Sequence, residues 1–278
     1  MTTDAFTIRV LGPLSADLCG TSVVPTANKP RQLLALMALN VNQVLPVSTL
    51  MNEIWNETDL PRSALPTLHT YILQLRRRLA EALSPDSARA AKDILVTKPG
   101  GYLLNVPDES VDATAYRRLL GNARSAAARG DVVTAARAYD DALALWRGPA
   151  LVDVQPGAVL TPELARLEEN RLGVVQERID AWLQLGCHAQ LLDELTSLTG
   201  RHPLNENLHA QFMTALYRAG RQSRAMETFQ SLRRRLVNEL GVEPSRRVRM
   251  LHEAMLAADP TLDVLPADDR IRLAFAAA

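Results

Sequence analysis

The sequence predicts an α+β winged helix over residues 1–107, followed by an all-α, TPR-like helical-repeat domain over residues 108–278. Three observations lead to this prediction. In the first part, short β-branched runs bracket three helical patterns. From about Val111 the composition shifts to Ala, Leu, Arg and Glu. In the second part, a glycine recurs with the 34-residue spacing of the tetratricopeptide repeat (TPR).

The first predicted elements are a strand and two helices. Residues 6–11 alternate with a period of two and stop at a Gly-Pro pair, which predicts a strand and its turn. Pro30 opens an apolar run to Leu39, which predicts a buried helix with proline in its first turn. Apolar residues at i, i+3 and i+4 predict a second helix over residues 47–55.

A third helix is predicted from about residue 61 to Leu83, with one apolar stripe that must face the core. The opposite face carries uncharged polar side chains and an arginine. Residues 60–80 contain four arginines and no acidic residue. The stripe consists of Leu65, Leu68, Ile72, Leu75 and Leu79.

Two β-type runs follow this helix, over residues 93–98 and 102–106. They are joined by a Pro-Gly-Gly turn, whose glycines can supply the positive φ angles of a tight hairpin. Three helices followed by a hairpin are the element order of a winged helix, whose third helix enters a major groove.

The second domain is predicted to consist of helix pairs. The step from Gly186 to Gly220 is the 34-residue period, and Pro203 stands where the repeat ends a helix. The step from Gly130 to Gly186 is 56 residues, which indicates an insertion. The concave surface of such an array suits peptides, partner proteins or self-association, and the sequence leaves these open. Helices are predicted near residues 112–129, 132–147, 161–186, 188–200, 205–219, 221–240 and 245–258.

Composition excludes several function classes. The chain has 31 basic and 31 acidic side chains and lacks an uninterrupted apolar run of about 18 residues, so no membrane span is predicted. The N-terminus has no secretion signal, which predicts a cytoplasmic protein. Cys19 and Cys187 lack metal-type spacing, and a proline interrupts the helix between His202 and His209. No metal site and no cofactor are expected.

Catalytic motifs are absent from the sequence. It contains no phosphate-binding G-x-x-x-x-G-K-[ST] loop, no G-x-S-x-G elbow and no H-E-x-x-H pair. The carboxylates of the second domain are interleaved with arginines, as on solvated helix faces. The chain is therefore predicted not to be an enzyme, with no catalytic residue.

The polar face of the third helix suits DNA. In a major groove, Gln can form hydrogen bonds with adenine, Arg can form them with guanine, and Thr and Leu can contact a thymine methyl group. Side chains around this face can contact the phosphates and so fix the position of the helix along the DNA. An arginine triplet also fits a solvated helix face, as we interpret residues 233–235. The predicted base-reading residues are Thr67, Thr70, Leu73, Gln74 and Arg77. The predicted DNA-backbone contacts are Lys29, Arg31, Arg62, Tyr71, Arg76, Arg78, Lys98 and Tyr102.

Ordered motifs along nearly the whole chain carry a family resemblance. They include Ile8-Arg9-Val10-Leu11-Gly12-Pro13-Leu14, Leu68-His69-Thr70-Tyr71-Ile72, Gly101-Tyr102-Leu103-Leu104, Leu145-Trp146-Arg147-Gly148, Ala215-Leu216-Tyr217-Arg218 and Leu240-Gly241-Val242-Glu243-Pro244. With them the chain resembles the small form of the Streptomyces antibiotic regulatory protein (SARP) family, which joins an OmpR-like winged helix to a bacterial transcriptional activator domain.

The resemblance implies an actinobacterial activator of a secondary-metabolite (antibiotic) gene cluster. It implies binding to direct repeats in double-stranded promoter DNA, self-association of the protein on that DNA, and recruitment of RNA polymerase holoenzyme with its sigma factor. No membrane partner is expected. The alternative is a TPR-like protein-interaction adaptor without sequence-specific DNA binding.

Overall fold

The computed structural model describes residues 5–55, 60–84 and 87–263. The chain packs as two compact units. The first contains the described residues up to Leu120 together with Ala142–Arg171, and the second contains Gly121–Asp141 and the described residues from Leu172 onward. This grouping differs from the division after residue 107, which follows the change in composition and stays a prediction about the domains.

The first unit begins with an antiparallel sheet in the order β1 (Phe6–Arg9), β2 (Ser15–Leu18) and β3 (Thr21–Ser22). Strand β1 alternates buried and exposed residues, as its period of two predicts. The strand ends at Arg9, two residues earlier than expected. It ends there because the next two backbone N–H groups, of Val10 and Leu11, donate to the carboxylate of Asp112.

Three helices and a hairpin follow in the predicted order. The helices are α1 (Asn28–Leu39), α2 (Val47–Trp55) and α3 (Ala64–Ala82), and the hairpin pairs β5 (Leu95–Lys98) with β6 (Gly101–Leu104). A short strand before α2, β4 (Leu45–Pro46), pairs with the other side of β6. The winged-helix prediction is confirmed.

Two local details of the hairpin region differ from the prediction. Residues 91–94 form a single helical turn, α4 (Ala91–Ile94), in which the Asp93 carboxylate accepts the backbone N–H of Ala90. Of the two glycines in the turn, only Gly100 has a positive φ, of 78°. Gly101 is needed for a different reason, because a Cβ there would lie 2.2 Å from the carbonyl oxygen of Leu45. It lets β4 approach the hairpin closely.

The apolar stripe of α3 is buried as predicted at four of its five positions, Leu68, Ile72, Leu75 and Leu79. The fifth, Leu65, was predicted wrongly, because its residue is 44% exposed. Leu65 lies in the first turn at the edge of the stripe, and the smaller Ala64 is buried there instead.

The rest of the described chain is helical, and each predicted helix is present. The turns that contain Gly130, Gly186 and Gly220 follow the first, third and fifth of these helices, and Pro203 lies between the fourth and the fifth. The TPR-like helical prediction is confirmed. The helices are α5 (Asp112–Ala128), α6 (Val132–Ala144), α7 (Leu160–Gln184), α8 (Leu192–Arg201), α9 (Glu206–Arg218), α10 (Gln222–Leu240) and α11 (Arg246–Leu256). None of the described helices has the length and apolar character needed to cross a membrane.

The core of the second unit forms where these helices pack on one another. Trp182 is fully buried, and its indole N–H donates to the Asp140 carboxylate over 2.9 Å. Arg178 is also bonded to Asp140. The buried indole N–H of Trp182 is therefore paired with a charged acceptor.

Within the first unit, the segment between α6 and α7 is tied to the winged helix by a buried carboxylate. The side chain of Glu53, on α2, is 1% exposed and accepts the backbone N–H groups of Gly157, Val159 and Leu160 over 2.7 to 2.9 Å. The amide of Gln32, on α1, donates to the same carboxylate over 2.7 Å. These bonds explain why residues 142–171 pack with the N-terminal unit.

We expect Gly157→Ala to destabilise the protein. A Cβ at this position would lie 1.8 Å from the carbonyl oxygen of Glu53, so the segment must move away from the carboxylate that it caps. The loss is about 1–3 kcal/mol, typical of overpacking, measured by urea denaturation followed by tryptophan fluorescence.

The matched control for this measurement is Gly121→Ala. Gly121 lies within α5 with open space around it, so alanine there is expected to be neutral or stabilising by up to about 1 kcal/mol. Equal stability of the two alanine variants would contradict the close approach at Gly157.

Candidate nucleic-acid interface

The outer face of α3 presents side chains that can reach a partner. Leu73 is 67% exposed, and Thr70, Gln74 and Arg77 are exposed around it, while Thr67 is half-buried. The Thr70 hydroxyl donates to the carbonyl of Pro66 over 3.1 Å and stays available as an acceptor. The five residues predicted to read bases therefore share one helix face, with four of them open to solvent.

An acidic residue that the sequence argument did not include lies beside this face. The Nε of Arg77 donates to the Glu81 carboxylate over 2.9 Å, one helical turn away. The two side chains are 81% and 60% exposed, so the pair contributes little stability and can open easily. The i, i+4 spacing was the available signal for this pair.

Arg76 joins α3 to the wing. Its Nε and Nη2 donate to the carbonyl oxygen of Leu95 over 2.9 and 2.7 Å, and Nη2 also donates to the Thr97 hydroxyl over 2.8 Å. Both acceptors belong to β5. The side chain predicted to contact the DNA backbone thus also positions the hairpin.

Three further basic residues of the predicted set contact the protein. Arg78 donates to the carbonyl of Val24 over 3.3 Å, and Lys29 donates to the carbonyl of Ile54. Arg31 forms an ion pair with Asp153 at 3.4 Å. The carbonyl acceptors of Arg78 and Lys29 are neutral, whereas Arg31 is paired with a carboxylate.

The remaining predicted contacts divide into exposed and buried side chains. Arg62, before α3, and Lys98, beside the wing turn, are exposed. Tyr71 is half-buried, and its ring stacks on Trp55 with centroids 6.2 Å apart. Tyr102 requires a correction, because its residue is only 7% exposed. It packs into the core where β6 lies between β4 and β5, so we no longer place it against DNA.

A cleft of about 390 Å³ lies between α3 and the loop that enters α1. One wall carries Gln74, Arg77, Arg78 and Glu81, and the other is formed by residues 25–27. Ala27 is the N-cap of α1 and makes no side-chain cap, so the first N–H groups of α1 add partial positive charge at this end. No motif in the sequence marks residues 25–27 as part of this surface.

Metal-dependent chemistry has no visible site in the described part of the chain. Among residues 5–55, 60–84 and 87–263, no group of three or more His, Cys, Asp or Glu side chains is placed to hold a metal ion.

Two family models match this chain. Residues 21–104 match the model "Transcriptional regulatory protein, C terminal", and residues 111–256 match "Bacterial transcriptional activator domain". The first range contains the three helices and hairpin described above, and the second contains α5 to α11.

Individual relatives are similar along most of the chain. Regulatory protein DnrI of Streptomyces peucetius is 52% identical over 92% of this chain and 94% of its own length. Transcriptional regulator RedD of Streptomyces coelicolor is 34% identical over 92% of this chain and 72% of its own length. The solved structure of Mycobacterium tuberculosis EmbR, in complex with a low-affinity phosphopeptide, superposes with a TM-score of 0.84 at 29% identity, covering 99% of this chain and 69% of EmbR.

The neighbouring arginines of α3 are expected to differ in their effect on stability. Arg76→Ala removes three hydrogen bonds to β5 and should cost about 1.5–3 kcal/mol, as for bonds to a charged group. Arg77→Ala removes only an exposed ion pair and should change stability by less than about 0.5 kcal/mol. Thermal unfolding of both variants measures the difference, and equal losses would contradict the assignment of Arg76 to the wing.

Proposed function

We propose, because this chain belongs to the Streptomyces antibiotic regulatory protein (SARP) family of transcriptional activators, that it binds promoter DNA sequence-specifically through α3 and its wing. The single observation that carries this proposal is the outer face of α3. Base-reading side chains are exposed there, in a segment that has four arginines and no acid over residues 60–80.

We assign the reading of bases to Thr70, Leu73, Gln74 and Arg77. Gln and Arg form paired hydrogen bonds with adenine and guanine in the major groove, and Thr and Leu contact thymine methyl groups. Thr67 is half-buried one turn earlier and belongs to the same face. When DNA enters, Arg77 exchanges the Glu81 carboxylate for a base, which is favourable because the exposed ion pair is weak.

Contacts with phosphates would hold this helix in the groove. Arg62 and Lys98 are exposed and can reach the DNA backbone, and Lys29 and Arg78 are bonded to neutral carbonyl groups. A guanidinium has five N–H donors, so Arg76 can hold β5 and still donate to a phosphate. We keep Arg31 and Tyr71 as secondary contacts, since their side chains are engaged with Asp153 and Trp55.

The family supports a wider proposal about partners. We propose that the protein acts in the cytoplasm on promoters of an antibiotic biosynthetic gene cluster. Two copies bind side by side on direct repeats and associate with each other there. The helical domain then recruits RNA polymerase holoenzyme, including its sigma factor.

The charge balance predicts how this binding behaves. Residues 1–110 contain ten basic and ten acidic residues, so non-specific attraction to DNA is weak. Occupancy of a promoter then depends on base contacts, on paired binding and on polymerase.

Base reading is tested with Gln74→Ala and Arg77→Ala. Each is expected to cost about 1–3 kcal/mol at one base pair and to relax preference at that position only. Fluorescence polarisation with the promoters next to its gene, and with variants of each base pair, measures this. Unchanged sequence preference in both variants would mean that α3 is not the reading helix. The rival adaptor function predicts feeble, sequence-indifferent binding at about 0.15 M salt.

Phosphate contact is tested with Arg62→Ala and Lys98→Ala. Both should weaken binding about equally for cognate and unrelated DNA, and each should reduce the slope of log K against log salt by about one. The control is Lys92→Ala, an exposed lysine on α4 outside the proposed contacts. A slope that stays at its wild-type value in both variants would remove these residues from the interface.

A further inference from the structure

The second unit contains a cavity that the DNA-binding proposal does not use. Its volume is about 430 Å³, and it lies among α7, α9 and α11. This volume falls in the range of small-molecule sites in proteins. The polar side chains that line it are Asp180 and Gln184 from α7, Gln211, Thr214 and Arg218 from α9, and Arg247 from α11.

The buried amide of Gln211 is the first feature of this cavity that favours a ligand. It is 3% exposed, and its Nε2 donates to the Asp180 carboxylate over 2.7 Å and to the carbonyl of Gln176 over 2.9 Å. These two bonds set the orientation of the amide. The Oε1 atom is buried, and among the residues that the structure describes it has no hydrogen-bond donor. A buried acceptor without a donor is costly, so a bound N–H group would stabilise this site.

Asp180 adds an incompletely compensated negative charge. Burial raises the pKa of its carboxyl group, although the Gln211 amide and the positive charge of Arg247 act in the opposite direction. One carboxylate oxygen accepts from Gln211, and the Asp180 residue lines the cavity. A positively charged donor at this place would satisfy both Asp180 and Gln211.

The cavity also has a basic side. Arg218 donates from Nη1 to the carbonyl of Leu183 over 3.0 Å and from Nε to the carbonyl of Leu262 over 2.8 Å. These neutral acceptors hold the guanidinium in place, and the negative charge of Asp263 acts on it as well. Arg247 lies exposed at the same cavity. Two arginines disfavour a ligand that is only a cation and favour one that also carries a carboxylate.

We propose that this cavity binds a zwitterionic ligand, whose ammonium or guanidinium group is recognised by Asp180 and Gln211 and whose carboxylate is recognised by Arg247 and Arg218. A free amino acid has this chemistry, and so does the carboxyl end of a peptide whose last residue is Lys or Arg. A neighbouring cavity of about 210 Å³ shares Asp180 and Gln184 with the first, so a ligand longer than one amino acid has room along α7.

The test is calorimetric titration of the full chain, without DNA, with three probes. L-Arginine carries both charges, agmatine lacks the carboxylate, and acetyl-Ala-Ala-Ala-Arg presents a free carboxyl end on a peptide. Saturable binding is expected for L-arginine or for the peptide, and the tighter of the two identifies the source. Agmatine is expected to bind at least tenfold more weakly than the tighter probe. Absence of saturable binding by both L-arginine and the peptide overturns the proposal.

Variants assign the binding to this cavity. Asp180→Asn should weaken binding of the probe at least tenfold, whereas Arg247→Gln should weaken binding of the probe but not that of agmatine, which has no carboxylate. The control is Asp141→Asn, an exposed acid on α6 outside the cavity, which should bind as the wild type does. If neither cavity variant changes the affinity, the proposal is wrong.

Thermal unfolding separates a binding defect from a folding defect. Asp180→Asn removes a partly compensated buried charge, so its Tm should be unchanged or higher. Arg247→Gln alters an exposed side chain and tests the site even if the first variant does not fold. Because the titration contains no DNA, its failure would leave the DNA-binding proposal standing.

Discussion

The first unit depends on how the carboxylate of Glu53 is satisfied. A buried charge is tolerated only when several donors surround it, because the loss of water costs several kcal/mol. Here three backbone N–H groups at the start of α7 and the amide of Gln32 supply those donors. The positive end of the α7 helix dipole also stabilises the Glu53 carboxylate. The same bonds therefore stabilise α1, α2 and the segment that leads into α7, and they explain why this segment packs in the first unit.

A second carboxylate, at the start of α5, also accepts backbone N–H groups from a distant segment. Asp112, in the first turn of that helix, accepts the backbone N–H groups of Val10 and Leu11 over 2.8 and 3.1 Å. Burial raises the pKa of its carboxyl group, while these hydrogen bonds and the charge of Arg147 act against that shift. The N–H of Leu151 donates to the carbonyls of Val10 and Gly12. The carboxylate of Asp112 thus fastens the residues that follow β1 to a helix more than 100 positions away in the chain.

The arginine triplet of α3 shows how one sequence run serves different purposes. Successive residues turn by about 100° around a helix, so three adjacent arginines cannot share one environment. Arg76 holds the wing strand, Arg77 stays on the open face, and Arg78 contacts the loop before α1. Of the three, only Arg77 is exposed to solvent, where it can exchange the Glu81 carboxylate for a base. The specificity of the proposed interface therefore depends on few side chains, supported by neighbours that position them.

By itself, the sequence determined the order and nearly all the bounds of the helices, the hairpin, and the family, because periodicity, prolines and glycines act over a few residues. It also predicted the face of α3. Only the tertiary structure decided what depends on distant parts of the chain: that Tyr102 is buried, that Gly101 is required by the approach of Leu45, and that Glu53 joins α2 to α7. The cavity at Asp180 and Gln211 belongs to the same class, since its walls come from three helices. Such contacts join residues far apart in the chain, so a pattern over a few neighbouring residues does not predict them.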